Sequence, residues 1–559
     1  MKSTNWKKGT AGTAAVMAAT VMLAGCGGEQ SAAGSPAAQT PKQEAAAPAK
    51  RPEITVTMYD RGGVPASEGS YEDNRWTRWI NQNGPVQVKY VPILRSDSTK
   101  KLNILFASGS APDIIHEYNT PFRDNLYNQK QLLPLDDYLK HMPEYQKILD
   151  RYPQLKKAGT MSDGKLYYIG KMKEATPAHA FFIRTDWLKK LNLTMPTTTE
   201  ELLKVAQAFA EQDPDGNGKK DTYGLNLSTY SQYGVNEMFG AQMSDSQLSW
   251  GLKDGKIGIL WENDLAALTF KKALYAGGII DKDFLNDKDG AKAKQDFLNG
   301  KLGIYMNGST SWYDFPVNDV ATLKKNVPGA EVDVLPYPKS PLGDYTGAID
   351  NPIQMMTAFN AKAKDPVAAA QYINFMMKPE TGSKIVNGDE GVHWKKDANG
   401  CPMPLDPQKV KNEVGYAGDY EIFLSRVDKC DFLVNKFDAS KPEQKAALEM
   451  YKKAQDTYMN PGKQYAGIAL TQYMPTFAGD LNVIHTTLHK QITDLYVKAM
   501  LSGDKYTPEQ AVKDAQAAWE QAGGKKLEED INTWYAKNKD TAFLIKDVWE
   551  IVKEQKQVK

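Results

Sequence analysis

A regular alternation of strand and helix signals governs the first part of this 559-residue chain. Glu53 to Tyr59 (EITVTMY) is rich in β-branched residues and predicts a strand. Asp73 to Asn83 brings Trp76, Trp79 and Ile80 onto one helical face. Val86 to Pro92 (VQVKYVP) alternates as a strand. Ser98 to Ser108 reads as a helix through Leu102, Leu105 and Phe106, with Gly109 as its C-cap. Asp113 to Tyr118 (DIIHEY) is the third strand. A β-α-β-α-β order predicts a mostly parallel sheet with helices on both faces, because parallel neighbours need long crossover connections.

The pattern recurs with different content. Ala180 to Arg184 (AFFIR) predicts a strand, and Thr197 to Gln212 a helix behind Pro196. Thr198 and Glu201 fit a capping box, and Leu202, Val205, Ala206 and Phe209 form the buried stripe. Ile257 to Leu260 and Leu302 to Met306 (LGIYM) are later strands. Val332 to Leu335 leads into a Pro336-Tyr337-Pro338 crossing, and from Asp365 the chain is largely helical. Two α/β units plus crossings predict an α/β fold of two lobes joined by a hinge. Ligands of open α/β sheets sit beyond the carboxyl ends of the strands, so the cleft between the lobes is the expected binding site. The expected boundaries are 53–175 for the first lobe, 176–335 for the second, 336–385 for a return to the first, and 386–559 for a helical completion of the second.

Residues 1–25 read as an address rather than as fold. Lys2, Lys7 and Lys8 precede an apolar run from Ala11 to Gly25, about 15 residues, short of the roughly 20 a spanning helix needs. The run ends Leu23-Ala24-Gly25-Cys26, which resembles a bacterial lipobox, and this resemblance implies lipidation at Cys26. The protein is then expected on the extracytoplasmic face of a bacterial membrane. Residues 26–52 form the lipidated cysteine and a linker of Ala, Pro, Gln, Ser, Gly and Thr with a few charges, too poor in large apolar side chains to build a core.

Composition narrows the function. Lys and Arg number 69 against 68 Asp and Glu, so a strongly basic nucleic-acid surface is not expected. Loss of the three leader lysines takes the net charge from +1 to −2. Cys401 and Cys430 remain, either paired in an oxidising compartment or as two free thiols. The chain contains no H-E-x-x-H, G-x-S-x-G or Walker loop. His485 and His489 have the i, i+4 spacing of zinc ligands, but Thr486 stands where a catalytic Glu would be, and an ordinary helix face is the simpler reading.

Several stretches in order carry a family resemblance: Lys101 to Ile115, Phe181 to Leu203, Asp213 to Leu225, Leu302 to Gly308 and Leu501 to Trp534. Through them the chain resembles family 1 extracellular solute-binding proteins, the carbohydrate-uptake lipoproteins of ABC importers. The likeness is greatest to the long LplA/LipO kind, and more distant to alginate-oligosaccharide-binding proteins. The resemblance implies a type 2 periplasmic-binding fold, a lipid anchor, a permease partner and oligosaccharide capture without chemistry, with the protein as a monomer. A surface-anchored polysaccharide-degrading enzyme, or the same fold serving a peptide or another solute, are the alternatives. The tail after about Asp540 lies beyond the matching stretches, and its lysines suggest a solvated helix face.

Asp213-Pro214-Asp215-Gly216-Asn217-Gly218-Lys219-Lys220-Asp221 fits D-x-D-x-N-G-x-x-D. Oxygen ligands at alternate positions of a tight loop suit calcium, with Asp213, Asp215, Asn217, the Lys219 carbonyl and Asp221 as the expected set. The twelfth position of an EF-hand loop is here Gly224 rather than Glu. The distant resemblance implies one structural calcium.

Sugars present hydroxyl rims and apolar C–H faces, which flat aromatics and planar polar groups recognise. Topology nominates residues that follow strand ends: Tyr59 and Asp60, Tyr118 and Asn119, and Asn307. Trp312 lies beyond them in a region resembling the N-G-x-W stretch of maltose-binding proteins, at altered spacing. Asp350 and Asn351 begin the return to the first lobe, and His393 and Trp394 sit in a Gly-rich turn resembling a cleft loop of the family.

Overall fold

The computed structural model describes residues 51–244, 248–308, 312–421, 428–430, 432–465 and 467–558, without the side chains of 229–230 and 307–308. Cys26, the leader, all but the last two residues of the linker and the Asn307 side chain lie outside this set. Among the described residues no helix is long and apolar enough to cross a membrane.

The chain begins with β1 (Glu53–Asp60), α1 (Arg75–Asn83), β2 (Gln87–Leu94), α2 (Ser98–Ala107), β3 (Ile114–Glu117), α3 (Thr120–Asn128) and β4 (Ile169–Met172). It crosses to β5 (His179–Arg184), α4 (Thr199–Glu211), β6 (Tyr223–Leu225), α5 (Thr229–Met238), α6 (Trp261–Ala276), β7 (Leu302–Gly308) and β8 (Val332–Val334). It returns through β9 (Ile353–Phe359) and α7 (Pro366–Met377). One sheet has the order β2-β1-β3-β9-β4 and the other β8-β5-β7-β6.

Each sheet contains one strand that opposes the rest. In the first it is β9, antiparallel to β3 and β4; in the second it is β5, antiparallel to β7 and β8. These are the two strands delivered by the crossings. A strand entering from the other lobe starts at the edge where its neighbours end, so it must run against them. Thus Met356 lies opposite Glu117, and His179 opposite Gly308. Crossover packing makes the remaining strands parallel, as the sequence pattern predicts, and their carboxyl ends all reach the hinge side.

Local signals explain the elements that position these ends. α4 starts where expected: Glu201 N donates to Thr198 Oγ1 at 3.2 Å and Thr198 N to Glu201 Oε2 at 3.3 Å. Its stripe of Leu202, Val205, Ala206 and Phe209 is buried against the second sheet. Gly303 on β7 sits under Phe209, whose ring leaves 2.2 Å for a Cβ, so only glycine lets helix and strand approach.

Two apolar cores separate the lobes. One gathers Val56, Ile114, Trp76 and Tyr145; the other gathers Phe181, Phe182, Phe209 and Ile304. The helical C-terminal part is shared between them, which corrects the expected 386–559 boundary. Ile385 and the stretch Val414–Tyr420 pack in the first core. α8 (Pro442–Tyr458), α9 (Asp480–Leu501), α10 (Pro508–Ala522) and α11 (Gly524–Asn538) pack in the second. α12 (Ile545–Lys556) then returns to the first, burying Val548, Ile551 and Val552. The tail helix is amphipathic: Lys546, Lys553 and Lys556 lie on the solvated face their sequence suggests, and the opposite face is core. Cys401 and Cys430 are joined in a disulfide with Cα atoms 5.3 Å apart, which decides the alternative left open by the sequence.

Candidate functional site

The first lobe brings most of its nominated residues to one edge. β1 ends at Tyr59 and Asp60, and β3 leads into Tyr118 and Asn119. Asp350 and Asn351 precede β9 at the same edge, because β9 runs backward there. The Tyr59 and Tyr118 rings stack at 5.6 Å with 16° between planes, and the Arg95 guanidinium lies 4.8 Å from the Tyr118 ring centre. Burial, reinforced by the Glu117 carboxylate, raises the Tyr59 phenol above its ordinary range. Tyr59 is itself buried, whereas Asp60, Tyr118, Asp350 and Asn351 are half-exposed and Asn119 is exposed.

These polar groups also hold their own loops. Asp60 accepts from Gly62 N at 2.8 Å, and Asn119 caps α3 by accepting from Phe122 N at 2.8 Å. Asn351 accepts from Ile353 N at 2.9 Å, and Asp350 pairs with Lys173. Aspartate and asparagine after strand ends thus fix the loop shapes at the edge where a ligand of an α/β sheet binds.

The second lobe answers with the start of β5 and the ends of β6, β7 and β8. A polar hub that sequence reasoning missed stands there. Glu237, 8% exposed at the end of α5, lies 2.8 Å from His179 Nε2 and 3.0 Å from Tyr337 Oη. The same carboxylate accepts from Ala348 N at 3.0 Å. Glu237 reads in the sequence as one charge of an ordinary helix; its partners come from three distant segments, so no local signal marks it.

Trp312 departs from expectation. It is 2% exposed, its Nε1 donates to the Pro177 carbonyl at 3.0 Å, and its ring packs on Phe182 and Tyr451. It is a core residue beside a crossing, not a face offered to a sugar. His393 is likewise 2% exposed and structural. Its Nδ1 accepts from Asp389 N at 2.9 Å, which puts the proton on Nε2, 3.1 Å from Glu413. Trp394 is half-buried and donates to the Gly388 carbonyl at 3.2 Å. His393 and Trp394 thus fold one Gly-rich turn of the first lobe. His489 Nε2 donates to the Ser244 carbonyl at 2.7 Å, and His485 packs on Phe477.

In the acidic loop, Asn217 gathers the carboxylates. Its Nδ2 donates to Asp215 Oδ2 at 2.7 Å and to Asp221 Oδ1 at 3.0 Å, while its backbone N donates to Asp213 Oδ1 at 3.0 Å. Gly216 and Gly218 have φ of 74° and 76°, the left-handed turns this wrap requires. Burial and the neighbouring Asp213 raise the Asp215 carboxyl. For Asp213 the cost of desolvation is outweighed by the Gly218 and Asn217 amides, and its carboxyl is lowered. Two carboxylates crowded into one site split in this way. A Cβ at Gly224 would stand 2.0 Å from the Ala206 carbonyl, so no side chain fits at the twelfth position. Among the described residues, no group of three or more His, Cys, Asp or Glu is gathered as a metal cluster.

Residues 62–382 match the bacterial extracellular solute-binding protein family. The chain belongs to that family. Among relatives of this solute-binding protein, lipoprotein LipO of Bacillus subtilis is 25% identical over 474 residues, 81% of this chain and 87% of LipO. The fructooligosaccharide ABC transporter substrate-binding protein FusA of Streptococcus pneumoniae is 33% identical over 44% of this chain and 47% of its own length. The polygalacturonan/rhamnogalacturonan-binding protein YtcQ of Bacillus subtilis is 30% identical over 40% of this chain and 44% of its own. In structure, an HMO-binding, ABC-transporter-associated solute-binding protein of Bifidobacterium longum infantis superposes with TM-score 0.66 at 16% identity, covering 87% of this chain and 99% of that one. FusA in complex with kestose gives 0.60 at 20% identity, with 87% and 99% covered. These likenesses place the two-lobed α/β architecture among known solute-binding folds.

Proposed function

We propose that this solute-binding protein captures an oligosaccharide between its lobes by hinge closure and delivers it unchanged to an ABC permease. The observation that carries the reading is the edge-to-edge arrangement of strand ends, with half-exposed Asp60, Tyr118, Asp350 and Asn351 and exposed Asn119 on the first lobe. Planar carboxylates and carboxamides beside a tyrosine match a ring of hydroxyls. FusA is a fructooligosaccharide-transporter binding protein and YtcQ a polygalacturonan/rhamnogalacturonan-binding protein, which supports a glycan cargo. A ligand touching both lobes binds only the closed form fully and shifts the population toward it. Asn307, on the strand that ends at the opposite edge, is the contact proposed from the second lobe. Lipidation at Cys26 holds the protein at the extracytoplasmic membrane surface, and it works as a monomer without catalysis.

The reading extends to one calcium in the acidic loop. Asp213, Asp215 and Asp221 each accept a hydrogen bond from Asn217, and the split between two crowded carboxylates is what a divalent cation relieves. The Lys219 carbonyl completes the set. A FusA structure described as an EF-hand mutant shows that a related protein has such a loop. The ion would brace the α4–β6 turn and takes no part in capture.

Calorimetric titration with kestose, oligogalacturonides and a peptide library tests the cargo. A saturable glycan response with no new reducing ends is expected. Peptide binding without a glycan response, or glycan cleavage, refutes it. For the metal, EDTA should lower the melting temperature of the wild type and leave Asp215→Ala unaffected; an unchanged wild type removes calcium.

A further inference from the structure

The chain passes between the two cores more often than two α/β units require. Lys173–Pro177 and Ala348–Pro352 run antiparallel to each other, with Asp350 N donating to the Thr176 carbonyl and Ala178 N to the Ala348 carbonyl, both at 2.8 Å. The crossing residues then spread their bonds in three directions. Lys173 pairs with Asp350 of the second crossing. Glu174 accepts from Leu433 N at 2.7 Å and Tyr451 Oη at 2.8 Å, both on the second-lobe side. The third direction leads to α12. Gln555 is 2% exposed; its Oε1 accepts from Ala175 N at 2.8 Å and its Nε2 donates to the Lys173 carbonyl at 2.8 Å.

One carboxamide thus satisfies a donor and an acceptor two residues apart on the crossing backbone, as a neighbouring strand would. β4 is the edge strand of its sheet, so the backbone that continues from it has no strand on that side. The helix carrying Gln555 is fixed to the first lobe by Val548, Ile551 and Val552, and by Asp547 to Lys157 at 2.9 Å. Its entry is tied to another connecting segment, Ile545 N donating to the Ile468 carbonyl at 3.0 Å.

We propose that Gln555 is a positioning residue for ligand capture: it anchors the first crossing to the first lobe and so sets where the hinge bends. Bending is thereby confined to the residues beyond Ala175. The proposal rests on the capture reading, but its geometric part does not need a ligand.

Gln555→Leu keeps the volume and removes both bonds; Ile551→Val trims the same helix without touching the crossing. Small-angle scattering on the ligand-free full-length protein, thermal melting, and titration with whichever glycan the wild type binds form the test. Gln555→Leu is expected to increase the radius of gyration or broaden its distribution and to weaken glycan affinity at least fivefold. Ile551→Val should lower the melting temperature while leaving both unchanged. If Gln555→Leu leaves scattering as in wild type, or if Ile551→Val changes it equally, the positioning role is wrong. Should the wild type bind no glycan, the scattering comparison alone decides, so failure of the cargo reading stays separate from failure of this one.

Discussion

Trp312 shows what a sequence can mislead about at the level of one side chain. Its type and its neighbourhood suggested a stacking platform, but burial depends on Phe182 and Tyr451, which arrive from far away in the chain. Trp312→Ala should therefore cost about 3–5 kcal/mol of stability, read as a large drop in melting temperature, rather than a selective loss of binding. Asp264 on α6 is a second case. It is 4% exposed, with Ser249 and Tyr496 as hydrogen-bond partners, and burial raises its carboxyl to about 6. An acid raised in the folded state holds its proton more tightly there than when unfolded. Stability should thus fall as pH rises from about 4 to about 6, by roughly 2–3 kcal/mol in all. Melting curves of Asp264→Asn across that window should be flatter than those of the wild type. By contrast, Asp60, Tyr118 and Asn119 were legible as neighbours, because topology alone sends the ends of parallel strands to one edge.

Among elements, the most legible were those with local punctuation. The capping box of α4 and the strands β1, β2 and β3 needed nothing but neighbouring residues. The reversed strands and the Cys401–Cys430 bond were not legible, since both depend on which distant segment lies alongside. That bond closes a loop of 29 residues between the stretch after Trp394 and the segment leading to Leu433. By chain entropy such a link contributes about 3–4 kcal/mol. Cys401→Ser should lower the melting temperature accordingly, and reductant should lower that of the wild type but not of the variant.

Across the whole molecule, buried polar junctions tie the crossing segments to the lobes. Glu237 joins β5, the Tyr337 crossing and Ala348 in one cluster. Glu237→Ala leaves His179 Nε2 and the Ala348 amide without this partner, at a cost of about 3 kcal/mol, while Tyr337 Oη keeps its bond to the Gly234 carbonyl. Hydrogen exchange at residues 345–349 should accelerate well beyond that of the β1–β3 core, and equal acceleration everywhere would mean the cluster braces the fold without shaping the hinge.

The return of α12 also bears on synthesis. The core begun by Ile54, Val56 and Met58 is finished by Val548, Ile551 and Val552, nearly five hundred residues later. Contacts so distant along the chain form last. While the ribosome is still making the middle of the protein, the first lobe lacks part of its interior and the Gln555 bonds to Lys173 and Ala175. The interior of that lobe is therefore complete only once residues 545–556 have been added.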